Sequence, residues 1–158
     1  MSVIKPRTIL FLVATGAIGL LAYAYYIQHY QDMAPCPLCV LQRYAFFGIA
    51  VFGLIGALGN ATRLGGGLAL ASALGGGGTA IHHLWVLAHP GMSCGIDPME
   101  TALNRIFTAQ LLPQMFKADG LCTTPMPPIL GLSIPVWALI SFVVMALLIL
   151  WSLLQHRD

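Results

Sequence analysis

Residues 133–154 read SIPVWALISFVVMALLILWSLL and hold no Asp, Glu, Lys or Arg. About 20 apolar residues, at 1.5 Å per residue, cross roughly 30 Å of hydrocarbon, so this run predicts a membrane-spanning helix. Three further runs qualify on the same ground. Thr8–Ile27 is uncharged, Val40–Gly59 carries only Arg43 near its start, and Leu64–Ala88 holds His82 and His83 but no Asp, Glu, Lys or Arg. The connections are Gln28–Cys39, Asn60–Arg63 and His89–Leu132, and the shortness of the middle one makes the second and third spans an antiparallel hairpin. The expected fold is an all-α membrane protein, one domain over residues 1–158. It is a four-transmembrane-helix bundle with a short amphipathic helix in the second outer loop.

Composition points the same way. Hydrophobic residues make up 58% of the 158 and charged residues 8%, against about 25% charged in soluble domains. A soluble enzyme, a nucleic-acid binder and a disordered chain are excluded on that balance, and the partner implied is the lipid bilayer. The net charge of +2 is too small to imply an acidic partner. Lys5, Arg7, Arg63 and Arg157 fall on one side of a four-span topology. The positive-inside rule makes that side cytoplasmic, with both termini, and turns the two longer loops outward. Lys5, Arg7 and the Ala22-Tyr23-Ala24 triplet also suit a cleaved signal peptide. The apolar run continues to Ile27, which favours a retained span.

No repeat of 20–50 residues is visible, nor an inverted pair of broken helices, which weakens a transporter reading. The third span carries two rows of small residues: Gly65, Ala69, Ala73 and Gly77, then Gly67, Ala71, Gly75 and Thr79. Such rows let helix backbones approach closely in lipid, or leave room for a flat cofactor. In the second outer loop, Asp97-Pro98-Met99-Glu100 reads as N-cap, N1 proline and N3 carboxylate. Met99, Leu103, Ile106, Phe107 and Leu111 then share one helical face, and Pro113 ends the helix.

All four cysteines lie in the outer loops: Cys36 and Cys39 in Cys-Pro-Leu-Cys, Cys94 and Cys122 in the second loop. An exported face is where disulfides persist, so structural staples are one reading. A Cys-x-x-Cys closes so small a loop that it adds little chain-entropy stabilisation, and redox or metal use is commoner. Cys39 falls near a helix start behind Pro35 and Pro37, where the helix dipole favours a thiolate. Arg43 is one turn deeper on the same face, as a snorkelling anchor, a thiolate partner or a donor to a carbonyl ligand. His82 and His83 fall at a comparable depth on the third span, and neighbours about 100° apart allow only one to face the bundle. A metal site is the competing use of the cysteines and histidines. Two adjacent histidines on a straight helix do not chelate one ion, and the expectation is no metal.

Taken together, four spans, an outer Cys-x-x-Cys with Arg four residues later, two further cysteines in a long second loop, and Gly-Leu-Ser-Ile-Pro-Val-Trp at residues 131–137 resemble the DsbB family. Those are bacterial inner-membrane, quinone-using, disulfide-forming oxidoreductases. The resemblance covers almost the whole chain. It implies redox-active disulfides Cys36–Cys39 and Cys94–Cys122, with Cys39 meeting ubiquinone or menaquinone. It also implies Arg43 supporting that thiolate and the quinone, and Cys94 and Cys122 exchanging with a soluble, periplasmic DsbA-like thiol oxidase. His83 best matches the quinone-side histidine, with His82 the adjacent alternative. The family often has an acidic residue just before the arginine; Gln42 stands there, which puts a proton role at that position in doubt. The rivals are a scaffold with structural disulfides, an ion or metal transporter, and a vitamin-K-reductase-like quinone reductase. Almost no polar residue lies in the spans, and Arg43 with the final Pro-Val-Trp favours the first resemblance.

Overall fold

The computed structural model describes residues 5–31, 34–59, 61–89, 96–120 and 128–155. Among these residues seven helices follow in order: α1 Pro6–Gln31, α2 Pro37–Leu58, α3 Thr62–Ala88, α4 Ile96–Asn104, α5 Phe107–Leu111, α6 Pro113–Phe116 and α7 Ile134–Gln155. Among the described residues there is no strand, only a tight turn in which Ile129 and Leu132 exchange both backbone hydrogen bonds. Four helices, α1, α2, α3 and α7, are long and apolar enough to cross a membrane. Two of them start where the sequence supplies a reason. Pro37 sits in the first turn of α2, where its missing N–H is not needed, and Pro135 does the same in α7.

The four long helices form a ring. α2 packs against α1 and α3, α3 against α7, and α7 closes on α1. Leu10, Ala17, Ile49, Ala73, Phe142 and Ile149 fill the centre. Leu12, Tyr26, Leu74, Leu147 and Leu154 are exposed, so the bundle is apolar outside as well as inside, as a lipid-facing surface requires. The end away from the cysteines is tied by polar bonds. Arg7 Nη2 donates to Gly59 O at 2.9 Å and buried Ser152 Oγ to Pro6 O at 2.9 Å.

Of the two small-residue rows on α3, one packs and one does not. Gly65, Ala69 and Ala73 are buried, whereas Gly67, Ala71 and Gly75 are exposed. A Cβ on Gly65 would stand 2.6 Å from Gly56 Cα, so α2 and α3 touch there backbone to backbone. The packed row continues to Gly76, not to Gly77: a 3.6-residue period drifts off a strict spacing of four. A Cβ on Gly76 would overlap the Phe142 ring, so the flat group that this glycine admits is a protein side chain.

The second loop folds differently from the single expected helix. The chain breaks at Arg105–Ile106, where Ile106 is extended at ψ 138, and α5 and α6 follow as separate short turns. Asn104 explains the break. Its side chain accepts from Ala118 N at 2.8 Å and donates to Ala118 O at 2.9 Å, drawing residues 113–118 back. Leu103, Ala109, Phe116 and Ala118 then bury against Val40, and Tyr44 stacks on Phe116 at 4.6 Å. Ile106, Phe107 and Leu111, expected on the same face as Leu103, are exposed. α4 begins at Ile96, one residue before the expected cap Asp97.

Candidate functional site

Cys36 is the N-cap of α2, in extended backbone at φ −73 and ψ 160, and its Sγ accepts the Cys39 N–H at 3.1 Å. Sulfur thus takes the place a serine oxygen holds at ordinary helix starts. Both residues carry free thiols; Cys36 is buried and Cys39 half-buried. The Cys36 thiol is pushed far above its ordinary value of 9.0, first by its hydrogen bond with Cys39 and then by burial.

The two faces of this pair meet different surroundings. On the Cys36 side, His83 Nε2 from α3 stands 3.9 Å from Sγ, with the residue only 3% exposed. Cys36, Cys39 and His83 offer three ligand atoms within 4.8 Å of one another, a spacing a thiophilic ion would accept. On the Cys39 side lies a cavity of about 340 Å³ between α1, α2 and the start of α7. Leu21, Ala24, Phe46, Trp137 and Ala138 make its apolar wall; Cys39, Gln42 and Arg43 stand together in its α2 wall. That size and character suit a small apolar ligand fixed by few polar groups.

Arg43 is 8% exposed and held by neutral oxygens. Its Nη1 donates to Gln28 Oε1 at 2.7 Å and to Met115 O at 2.8 Å. Gln28 Nε2 in turn donates to Gln114 O at 2.8 Å, and Tyr25 Oη to Gln114 Oε1 at 2.7 Å. A cation this deep is thereby fixed from α1 and from the second loop. Across the cavity, Trp137 Nε1 donates to Ile129 O at 3.0 Å and pins the tight turn in which Leu130 and Gly131 both take positive φ. Ile129 and Leu130 of that turn also line the cavity. The Pro-Val-Trp segment therefore shapes the cavity as well as starting a helix.

The structure brings Cys36, Cys39, Arg43 and His83 to one end of the bundle and leaves His82 out. His82 is exposed and stacks on Trp85 at 6.0 Å, while His83 stands against Cys36 and is not part of the cavity wall. Cys94 and Cys122 lie outside the described residues. The chain leading to Cys122 is fixed two residues earlier: Asp119 N and Gly120 N both donate to Pro35 O, at 3.2 and 3.1 Å. A Cβ on Gly120 would overlap Ala34 O, so this approach needs glycine. Gln28, Gln114 and Met115 were not visible as site residues in the sequence, because their partners are remote in the chain.

Residues 6–152 match the family described as disulfide bond formation protein DsbB. The chain is 51% identical over 154 residues to the disulfide bond formation protein B of Ralstonia nicotianae, covering 97% of each. It is 53% identical over 156 residues to that of Herminiimonas arsenicoxydans, covering 98% of this chain and 99% of the relative. To that of Burkholderia pseudomallei it is 44% identical over 160 residues, covering 99% and 95%.

Proposed function

The chain belongs to the DsbB family of membrane disulfide bond formation proteins, and from that premise we propose that it is a quinone-dependent thiol–disulfide oxidoreductase of the bacterial inner membrane. In this reading residues 1–158 form one membrane domain with both termini cytoplasmic and all four cysteines periplasmic. The observation that carries the proposal is the Cys36–Cys39 pair at the head of α2, buried at Cys36 and opening through Cys39 and Arg43 onto a mostly apolar cavity.

The first half of the cycle is disulfide exchange. A reduced DsbA-like oxidase attacks the Cys94–Cys122 disulfide through its thiolate, giving a mixed disulfide and one free loop thiol. Its second thiol resolves that bond, leaving oxidised partner and reduced Cys94 and Cys122. One loop thiolate then attacks the Cys36–Cys39 disulfide, and the other closes the loop pair again. The hydrogen bonds from Asp119 and Gly120 to Pro35 O support this step, since they hold the chain before Cys122 against the residue before Cys36.

In the second half the Cys36–Cys39 dithiol becomes a disulfide. Quinone, as second substrate, accepts the two electrons and the two protons that the thiols give up. Arg43 supports the sulfur of Cys39 by charge, and its anchors on Gln28 and Met115 keep it at that depth. His83, 3.9 Å away, serves as acceptor for the Cys36 proton. Leu21, Phe46 and Trp137 give the quinone an apolar wall to pack on. A resident metal on Cys36, Cys39 and His83 would account for those three residues and leave the cavity beside them without a role.

The test is a redox trap. Protein reduced at Cys36 and Cys39 is mixed in detergent with a short-chain quinone and quenched with a thiol-alkylating reagent. Loss of two alkylatable thiols at Cys36 and Cys39 in a Cys94→Ser, Cys122→Ser background supports the proposal. Retention of both thiols in folded protein, with ubiquinone-type and menaquinone-type acceptors alike, overturns it.

A further inference from the structure

The cavity beside Cys39 has side-chain donors along its wall, and several of them are turned to the protein's own carbonyls. Gln28 Nε2 donates to Gln114 O, Arg43 Nη1 to Gln28 Oε1 and Met115 O, Ser141 Oγ to Trp137 O, and Trp137 Nε1 to Ile129 O. Gln42 departs from that pattern. It lines the same cavity, is 6% exposed, and its buried Nε2 has no acceptor among the described residues. A buried amide N–H without a partner is costly, and a native fold keeps one where something else supplies the acceptor. Gln42 is three residues after Cys39, so on α2 the two share a face, and both line the cavity.

We propose that Gln42 binds the electron-accepting substrate, donating a hydrogen bond from Nε2 to a carbonyl oxygen of the quinone held against Cys39. This rests on the quinone-dependent reading given above and names a contact within it. The chemistry of the wall selects the acceptor. The cavity wall is mostly apolar, the donors named above already meet protein oxygens, and a quinone is a flat apolar ring that presents carbonyl acceptors. An amide does not titrate in water, so Gln42 orients and polarises the carbonyl without giving up a proton. The balance needs none from it. Two S–H bonds break, one S–S bond forms, and the two electrons and two protons released make quinol from quinone.

The test uses full-length protein in detergent with a short-chain ubiquinone and a reduced dithiol donor. Gln42→Met keeps the length and apolar bulk of the side chain and removes the donor. Loss of one neutral hydrogen bond is expected to raise KM for quinone about tenfold, with kcat changed by less than about threefold. The quinone-free variant is expected to melt no lower than wild type, since it no longer buries an unpartnered N–H; a purely structural role for Gln42 would lower the melting temperature instead. Gln42→Leu, read the same way, replaces Gln42→Met if that variant does not fold. In wild type, infrared spectra with quinone labelled at each carbonyl in turn should show one carbonyl stretch lowered relative to the same quinone in empty detergent. A KM within about twofold of wild type means that a water only, not the substrate, meets Nε2, and overturns the inference while quinone turnover stands. Both carbonyl stretches unshifted overturns it without any variant. Wild type that reduces no quinone removes the underlying reading and this contact together.

Discussion

Replacing Arg43 by methionine separates support of chemistry from support of the fold. The guanidinium makes two hydrogen bonds through Nη1, to Gln28 Oε1 and Met115 O. A hydrogen bond from a charged group contributes roughly 1.5–3 kcal/mol, so losing both removes about 3–6 kcal/mol gross. Against this, the variant no longer holds a cation away from water, a burden of several kcal/mol. The net destabilisation expected is about 1–3 kcal/mol, within the roughly 5–15 kcal/mol of a native domain, so Arg43→Met stays folded. Catalysis should suffer more. Removing one preorganised group that stabilises developing negative charge costs about 100- to 1000-fold in rate, or roughly 3–4 kcal/mol. The assay follows quinone absorbance with a reduced dithiol donor, beside a thermal melt of the same sample. A drop of about 100-fold with a cooperative melt supports the account. Turnover within about threefold of wild type in folded protein would refute the role given to Arg43.

Cys36→Ser and Cys94→Ser are each expected to abolish donor-to-quinone turnover, whereas Cys39 in Cys36→Ser still reacts with an alkylating reagent; residual turnover in either variant counts against the relay. A Cys94→Ser, Cys122→Ser variant should fail to oxidise a protein dithiol, and a mass-spectrometric search for oxidised donor checks this. Gly65→Val should destabilise the bundle by about 1–3 kcal/mol or more, because its side chain meets the α2 backbone. Gly67→Val, where nothing stands within 4 Å, should leave the melting temperature near wild type. The Cys36 thiol is held above its ordinary value of 9.0, so folded reduced protein keeps a proton that the unfolded chain loses above that pH. The stability this gives is present below pH 9.0 and is lost as pH rises beyond it. Melts of reduced wild type should therefore fall more steeply above that pH than melts of Cys36→Ser.

Much of the architecture was legible because lipid leaves few choices. A charge-free stretch such as residues 133–154 has to be a helix whose backbone satisfies itself, and Pro37 and Pro135 mark helix starts by a local rule. The second loop was less legible. Periodicity put Met99 through Leu111 on one face, but the chain turns where Asn104 captures Ala118, and that pairing across 14 residues leaves no local signal. The same limit hid the anchors of Arg43, which lie 15 and 72 residues away. Sequence spacing showed that only one of His82 and His83 faces the bundle. Which one depends on the rotation of α3, and that is set by Gly65 against Gly56 and Gly76 against Phe142. Gln42 read only as a departure at a family position, because an unpartnered donor is a property of the packed cavity.

The central claim, that electrons pass from a dithiol donor through these cysteines to quinone, is tested most directly by quinone absorbance. Purified protein in detergent is mixed with a reduced periplasmic dithiol oxidase and oxidised quinone. The account predicts enzyme-dependent loss of oxidised quinone, one equivalent per donor disulfide formed. Folded protein that leaves quinone oxidised with several reduced donors would contradict it, and would favour a scaffold whose disulfides are structural.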